Sequence, residues 1–254
     1  MNETSLVLPI KTTLSVAYTK TVGSKKIFLA AAAMILLLGF AMGLISGITY
    51  SFSHLASSLI NVLGRLIVTI LQAGLLYLGI LRARDASIHY SQVFRSFERR
   101  IALGIIGVYL IQFLIFTAIL VIFVFLPVLW YSNLADSAVQ AHHVLIHIAW
   151  TIWVVIGSMI LLFLIMRMLF ARGLVIDRAM GPWRATCVSF HATRGNVLRL
   201  LLLVCCQMGA LMMGAILLLV GLIWAIPFAV MIYGVAYNTL LSNTDLKIRT
   251  ASSI

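Results

Sequence analysis

Six stretches of this sequence are each long and apolar enough to cross a lipid bilayer, and a water-soluble fold has no place for so many. Bilayer hydrocarbon about 30 Å thick asks for about 20 apolar residues per crossing helix at a rise of about 1.5 Å per residue. The spans expected on this ground are 27–49, 61–81, 101–130, 144–170, 198–220 and 223–241. The last two come from one apolar run from Leu198 to Leu241, too long for a single crossing, with Gly221 and Pro227 as its punctuation.

Composition agrees. Hydrophobic residues make up 63% of the 254, charged residues only 9%, and mean hydropathy is +1.14. Soluble domains carry about 25% charged residues, so there is too little polar surface here to cover the apolar material. The same numbers exclude a disordered chain. The fold class expected is all-α: a polytopic membrane protein with six transmembrane helices and two or three interfacial amphipathic helices. In this division residues 1–26 form an amphipathic arm, 27–241 the transmembrane domain and 242–254 a tail.

The distribution of Lys and Arg tests the scheme independently of hydropathy. Lys11, Lys20, Lys25 and Lys26 precede the first span, and Arg82, Arg84, Arg95, Arg99 and Arg100 fill the second connection. Arg167, Arg172, Arg178, Arg184, Arg194 and Arg199 flank or fill the fourth, while Lys247 and Arg249 follow the last span. Seventeen of eighteen basic residues thus fall on alternate sides of six crossings. The positive-inside rule puts that side, with both termini, in the cytoplasm. The net charge of +12 then reflects basic connections lying against anionic headgroups, not a nucleic-acid surface. Arg65, about one turn into the second span, is the exception and is expected to snorkel. Tyr50, Trp130, Tyr131, Trp150 and Trp224 are expected at the outer ends as an aromatic belt. The first span is too long for a signal-peptide core and is expected to stay as an anchor.

The cytoplasmic connections carry helical patterns of their own. Tyr90, Val93, Phe94 and Phe97 recur at helical spacing in the second. In the fourth, Pro182 suits a helix start and Gly195-Asn196 a helix end. There Trp183, Cys187 and Phe190 make an apolar stripe, while Ala185, Ser189 and Ala192 make a small-residue face. Leu14, Tyr18 and Val22 form a weaker stripe in the arm. Ser96-Phe97 and Ser189-Phe190 close similar segments, which suggests a parallel repeat of spans two and three on spans four and five.

The stretch Leu174-Val175-Ile176-Asp177, with Gly181, Ala185, Ser189, Thr193, Asn196 and Arg199-Leu200, resembles the signature of the YciC-like bacterial inner-membrane proteins. These are relatives of the membrane domain attached to some glycerophosphodiester phosphodiesterases. The resemblance covers the arm and first anchor, Ser15 to Leu38, and the six-span layout. It implies a polytopic membrane protein without an assigned activity; the phosphodiesterase catalytic domain has no counterpart in these residues.

Candidate chemistry is sparse. His142, His143 and His147 cluster before the fourth span, with His143 and His147 on one helix face, and Asp136 or His54 are the only residues placed to complete a metal site. The expected role is polar capping of a helix, and no metal or other cofactor is expected. Gln72, Gln112 and Gln207 lie inside spans two, three and five and are expected to bond between helices. Gly39, Gly43 and Gly47 open one face of the first span to close helix packing within the chain or, failing that, to self-association. Asp177, Arg178, Arg167 and Arg172 read as topology-setting charge, with an ion-pair cluster at the cytoplasmic interface as the alternative. Gly157-Ser158 reads as packing. Cys187, Cys205 and Cys206 indicate neither disulfide nor thiolate site. No hydrolase, metalloprotease or nucleotide-binding motif occurs. The expected function is non-enzymatic, with lipids, a protein partner or a second copy as the interacting species. Transport of a small solute or lipid is the alternative, and it requires the three glutamines to converge on a wet cavity.

Overall fold

The computed structural model describes residues 8–132, 136–216 and 221–251; for 130–132, 136–147 and 242–251 it describes the backbone alone. Every regular element among these residues is helical. The long helices are α2 (Lys25–Tyr50), α3 (His54–Ala83), α4 (Arg99–Leu120), α6 (Asp136–Arg167), α9 (Val197–Ile216) and α10 (Leu222–Ala251), and the short ones are α1 (Ile10–Thr21), α5 (Leu126–Ser132), α7 (Ala171–Arg178) and α8 (Pro182–Ala192). A 3-10 helix, Tyr90–Phe97, fills the connection from α3 to α4, and a π-helical segment, Val121–Phe125, joins α4 to α5. Six helical stretches are long and apolar enough to cross a membrane: Lys25–Tyr50, His54–Ala83, Arg99–Leu129, Ile148–Arg178, Val197–Ile216 and Leu222–Leu241. The chain is an all-α, multi-pass membrane protein.

Several boundaries differ from those expected. α3 begins at His54, seven residues before the expected 61, because Ser53 caps it by accepting from the Ala56 amide. Arg65 therefore stands three turns inside the helix, about 16 Å of rise from His54, not one turn. The fourth span breaks after Arg167, and its end becomes the separate α7, capped by Ala179 in the left-handed region at φ 49°. The expected tail continues α10 as helix to Ala251.

Buried residues concentrate toward one end of the bundle. Phe28, Ala31 and Ile35 at the start of α2, Leu71 to Ile80 at the end of α3, and Ile101, Ile105 and Val108 at the start of α4 pack there. Leu200 and Leu203 of α9 and Met231 to Tyr237 of α10 join them. The opposite halves present large apolar side chains outward: Leu36, Phe40, Leu44 and Ile48 on α2, and Leu110, Phe113 and Leu120 on α4. In lipid, exposed Leu, Ile and Phe are already solvated, so association comes from close packing and hydrogen bonds, not from burial as such.

Close packing is supplied where backbones meet. A Cβ on Gly79 of α3 would stand 2.7 Å from the Val230 carbonyl oxygen of α10, and one on Gly234 would collide with the Gly79 backbone. Gly74 admits the Val93 carbonyl of the 3-10 helix in the same way. Within the chain the glycine face of the first span makes no close helix contact: a Cβ on Gly39 would meet only Val68, at 3.7 Å, and one on Gly43 or Gly47 nothing within 4 Å. α2 instead approaches α3 through Met42, which fits over Gly64, and through a polar link of Ser46 with Ser57 at 2.8 Å.

Candidate functional site

The short elements assemble at the end where the basic residues lie. Lys20 of α1 donates to the Ala83 carbonyl and to Asp85 Oδ2, both at 2.7 Å, and Arg82 Nε donates to the Lys20 carbonyl. Asp85 holds a left-handed turn at φ 59° that aims its carboxylate back at α1. Its hydrogen bond with Lys20 keeps it below the ordinary aspartate range. α1 turns Thr13, Ala17 and Thr21 into the bundle and leaves Tyr18 and Val22 outward. The Leu8 amide donates to Asn196 Oδ1 at 3.0 Å, which ties the arm to the chain before α9.

A second polar junction joins α3, α7 and α10. Arg84 donates through both terminal nitrogens to the Asp177 carboxylate, at 2.8 and 2.7 Å, and through Nε to Asn238 Oδ1 at 2.9 Å. Tyr237 Oη donates to Asp177 Oδ2 at 2.9 Å, and Asn238 Nδ2 donates to the Ile80 carbonyl at 3.0 Å. The Asp177 side chain is 6% exposed and that of Arg84 42%. The hydrogen bond to Asp177 raises the pKa of Arg84 against the opposing cost of its partial burial. Asp177 joins an ion pair, as in the alternative reading of the sequence, but Arg178 stands off at 4.0 Å, and the principal partner is Arg84. The residues missed were Arg84, Tyr237 and Asn238, which nothing in sequence spacing connects to α7.

The residues carrying the family resemblance occupy structural positions. Leu174, Val175 and Ile176 are wholly buried on α7. Ala185, Ser189 and Ala192 are buried along one face of α8, as the small-residue pattern predicted, and Thr193 and Asn196 beyond its end are buried as well. Ser189 Oγ accepts from the Phe170 amide and donates to the Arg167 carbonyl at 2.8 Å, so α8 is fastened to the corner between α6 and α7. Thr193 Oγ1 closes the end of α8 by donating to the Ser189 carbonyl. Gly181 begins α8 at φ −63°, with nothing within 4 Å of where a Cβ would stand.

The second connection forms a helix of the 3-10 type, not an amphipathic α-helix. Val93 and Ser96 turn inward, while Tyr90, Phe94 and Phe97 remain exposed. Arg95 donates to Tyr77 Oη and lies 5.0 Å from the centre of that ring. The fourth connection contains two α-helices, so the two segments read as similar in sequence differ in build.

The remaining candidates scatter. Gln72 is exposed on α3, and Gln112 and Gln207 are half-buried on α4 and α9. Asn61, Arg65, Thr69 and Gln72 fall on one face of α3, a polar stripe at spacings of four, four and three. Trp224 is not free in an outer belt: the Lys25 ammonium stands over its ring. Tyr50 is exposed and packs edge-on against His54 at 4.4 Å. The side chains of His142, His143, His147, Asp136, Trp130 and Tyr131 lie outside the described residues. Among the described residues no three His, Cys, Asp or Glu side chains gather in a way that could hold a metal ion. Gly157 receives the Phe123 ring and Ser158 Oγ donates to the Val154 carbonyl, both packing roles. All three cysteines are free and exposed.

Beside Ser189 lies Arg167, which has no ion pair among the described residues. The Arg167 guanidinium carbon sits 5.1 Å from the Phe190 ring centre and 5.6 Å from that of Phe163, with Nε buried and unpaired. Arg194 stands just past the end of α8, one turn beyond Phe190, its amide bonded to the His191 carbonyl at 3.2 Å. Arg172 Nε and Tyr233 Oη are likewise buried without a partner among the described residues.

The fold and this basic end define a helical, multi-pass membrane protein whose ion pairs among the described residues gather at one end. No family model, no curated protein and no solved structure matches the chain.

Proposed function

We propose that this chain is a non-enzymatic protein of the bacterial inner membrane that works by binding lipids or protein partners on its basic side. In this reading both termini and the layer of α1, Tyr90–Phe97, α7 and α8 lie in the cytoplasm, against the anionic headgroups of the inner leaflet. The observation that carries it is the gathering of Lys20, Arg82, Arg84 and Arg167 with the short helices at one end, below α2 and α4, whose other halves expose large apolar side chains. The relation to the YciC-like proteins belongs to the same proposal and rests on the α7–α8 motif.

The deciding experiment is lipid analysis and crosslinking of the purified protein, together with labelling of single cysteines at positions 95 and 184. Co-purified anionic lipid or a defined crosslinked partner is expected, with labels reached only from the cytoplasm. Labelling of either position from the outside overturns the reading.

A transport reading draws support from one feature, the polar stripe of Asn61, Arg65, Thr69 and Gln72 on α3. An ionisable side chain well inside a span is a recurring mark of a solute path. Solute-dependent protection of a cysteine at position 72 from aqueous labelling distinguishes it.

A further inference from the structure

We propose that Arg167 and Arg194, with the rings of Phe163 and Phe190, form a binding site for the phosphate of one anionic phospholipid. This deepens the functional reading above and rests on it: it names one site and one ligand class within the basic side.

The argument begins with charge. Among the described residues the ion pairs are Lys20–Asp85, Arg84–Asp177 and the longer Arg178–Asp177, and none includes Arg167 or Arg194. Arg194 follows by four residues the Phe190 whose ring lies 5.1 Å from the Arg167 guanidinium, so the two basic side chains issue from adjoining turns, and neither has a carboxylate among the described residues. A phosphate there meets both charges, and the planar fork of arginine suits phosphate oxygens at two points.

Placement comes next. Arg167 is not a free surface residue: Phe163 and Phe190 lie within cation–π distance of it, and its Nε is buried without a partner. Ser189, wholly buried, takes the Arg167 carbonyl and so sets α8 against the end of α6. The two rings flank the guanidinium before any ligand arrives, which lowers the entropy lost on binding.

A lipid is favoured over a soluble phosphate by what adjoins the site. Ile156, Ile160 and Phe163 precede Arg167 at spacings of four, three and four, on one face of α6, and all three are exposed. An apolar track that leads directly to a cation fits an acyl chain that ends in a phosphate. Basic pockets between membrane helices on the cytoplasmic side bind acidic lipid headgroups in this manner.

The test uses the full-length protein in phosphatidylcholine bilayers containing spin-labelled phosphatidylglycerol or spin-labelled phosphatidylcholine, with relative association read from the immobilised lipid fraction. Wild type is expected to prefer phosphatidylglycerol. R167Q and R194Q are each expected to reduce that preference about fivefold, the effect of one basic residue at an anionic surface. K26Q removes the same charge from an exposed position on α2 and is expected to change it much less. R194Q alters an exposed side chain, so its result stands even where R167Q disturbs folding. A loss in R167Q and R194Q no greater than in K26Q overturns the site and leaves general attraction by the basic side intact. No preference in wild type overturns both. Displacement of phosphatidylglycerol by millimolar glycerol phosphate overturns the assignment to a lipid in favour of a soluble anion.

Discussion

Arg84 and Asp177, ninety-three residues apart, meet in a two-point ion pair that fastens the end of α3 to α7. Tyr237 adds a third bond to the same carboxylate, and Asn238 holds Arg84 from the side. Three segments far apart in sequence share one carboxylate. With Arg84 partly open to water, the pair is weaker than a fully buried one, although Asp177 itself is almost covered.

D177N keeps the shape of the side chain and removes its charge. A loss of about 1–3 kcal/mol in stability is expected, since a hydrogen bond to a charged group contributes about that much. Thermal unfolding in detergent measures it. Y237F is expected to lose less, because Arg84 still pairs with Asp177; a larger loss in Y237F than in D177N contradicts this ranking.

Enlarging the crossing of α3 and α10 is expected to do more harm than enlarging the open face of α2. G234A places a methyl group against the Gly79 backbone, and overpacking costs about 1–3 kcal/mol. G43A and G47A meet nothing within 4 Å and are expected to be neutral or slightly stabilising. Comparable destabilisation of all three variants refutes the distinction.

The arm is expected to loosen when its tie to Asn196 is cut. N196A leaves the Leu8 amide without its acceptor, a loss of about 1 kcal/mol that falls on α1 before it reaches the bundle. Hydrogen exchange of residues 8–21 reports it, and unchanged protection there contradicts the assignment.

Acid acts on the other end of α1. The Lys20 ammonium holds Asp85 below its ordinary value, so this pair contributes above the unfolded aspartate range and is lost as pH falls through the lowered value. Exchange at the α1 amides is expected to rise below about pH 4. D85N is expected to remove most of that response, and an equal acid response in D85N assigns it elsewhere. Asp85 is fully exposed, so the effect belongs to the arm and not to global stability.

Hydropathy and the rhythm of basic residues determined the all-α class and the six stretches suited to crossing, because lipid demands long apolar helices whatever their neighbours. The buried face of α8, with Ala185, Ser189 and Ala192, was equally legible, since small residues at helical spacing mark where another helix can come close. Which helices met was decided only by the tertiary structure. Gly43 and Gly47 carry the same spacing as a packing face yet lie open, while Gly79 and Gly234 make the close crossing from separate ends of the chain. Arg84 finds Asp177 and Arg167 is left with two aromatic rings, although both read alike as basic residues at the end of a span. The reason is physical: crossing a bilayer depends on the transfer free energy of one segment at a time, whereas contacts between helices in lipid depend on shape and on hydrogen-bond partners that only the assembled bundle brings within reach.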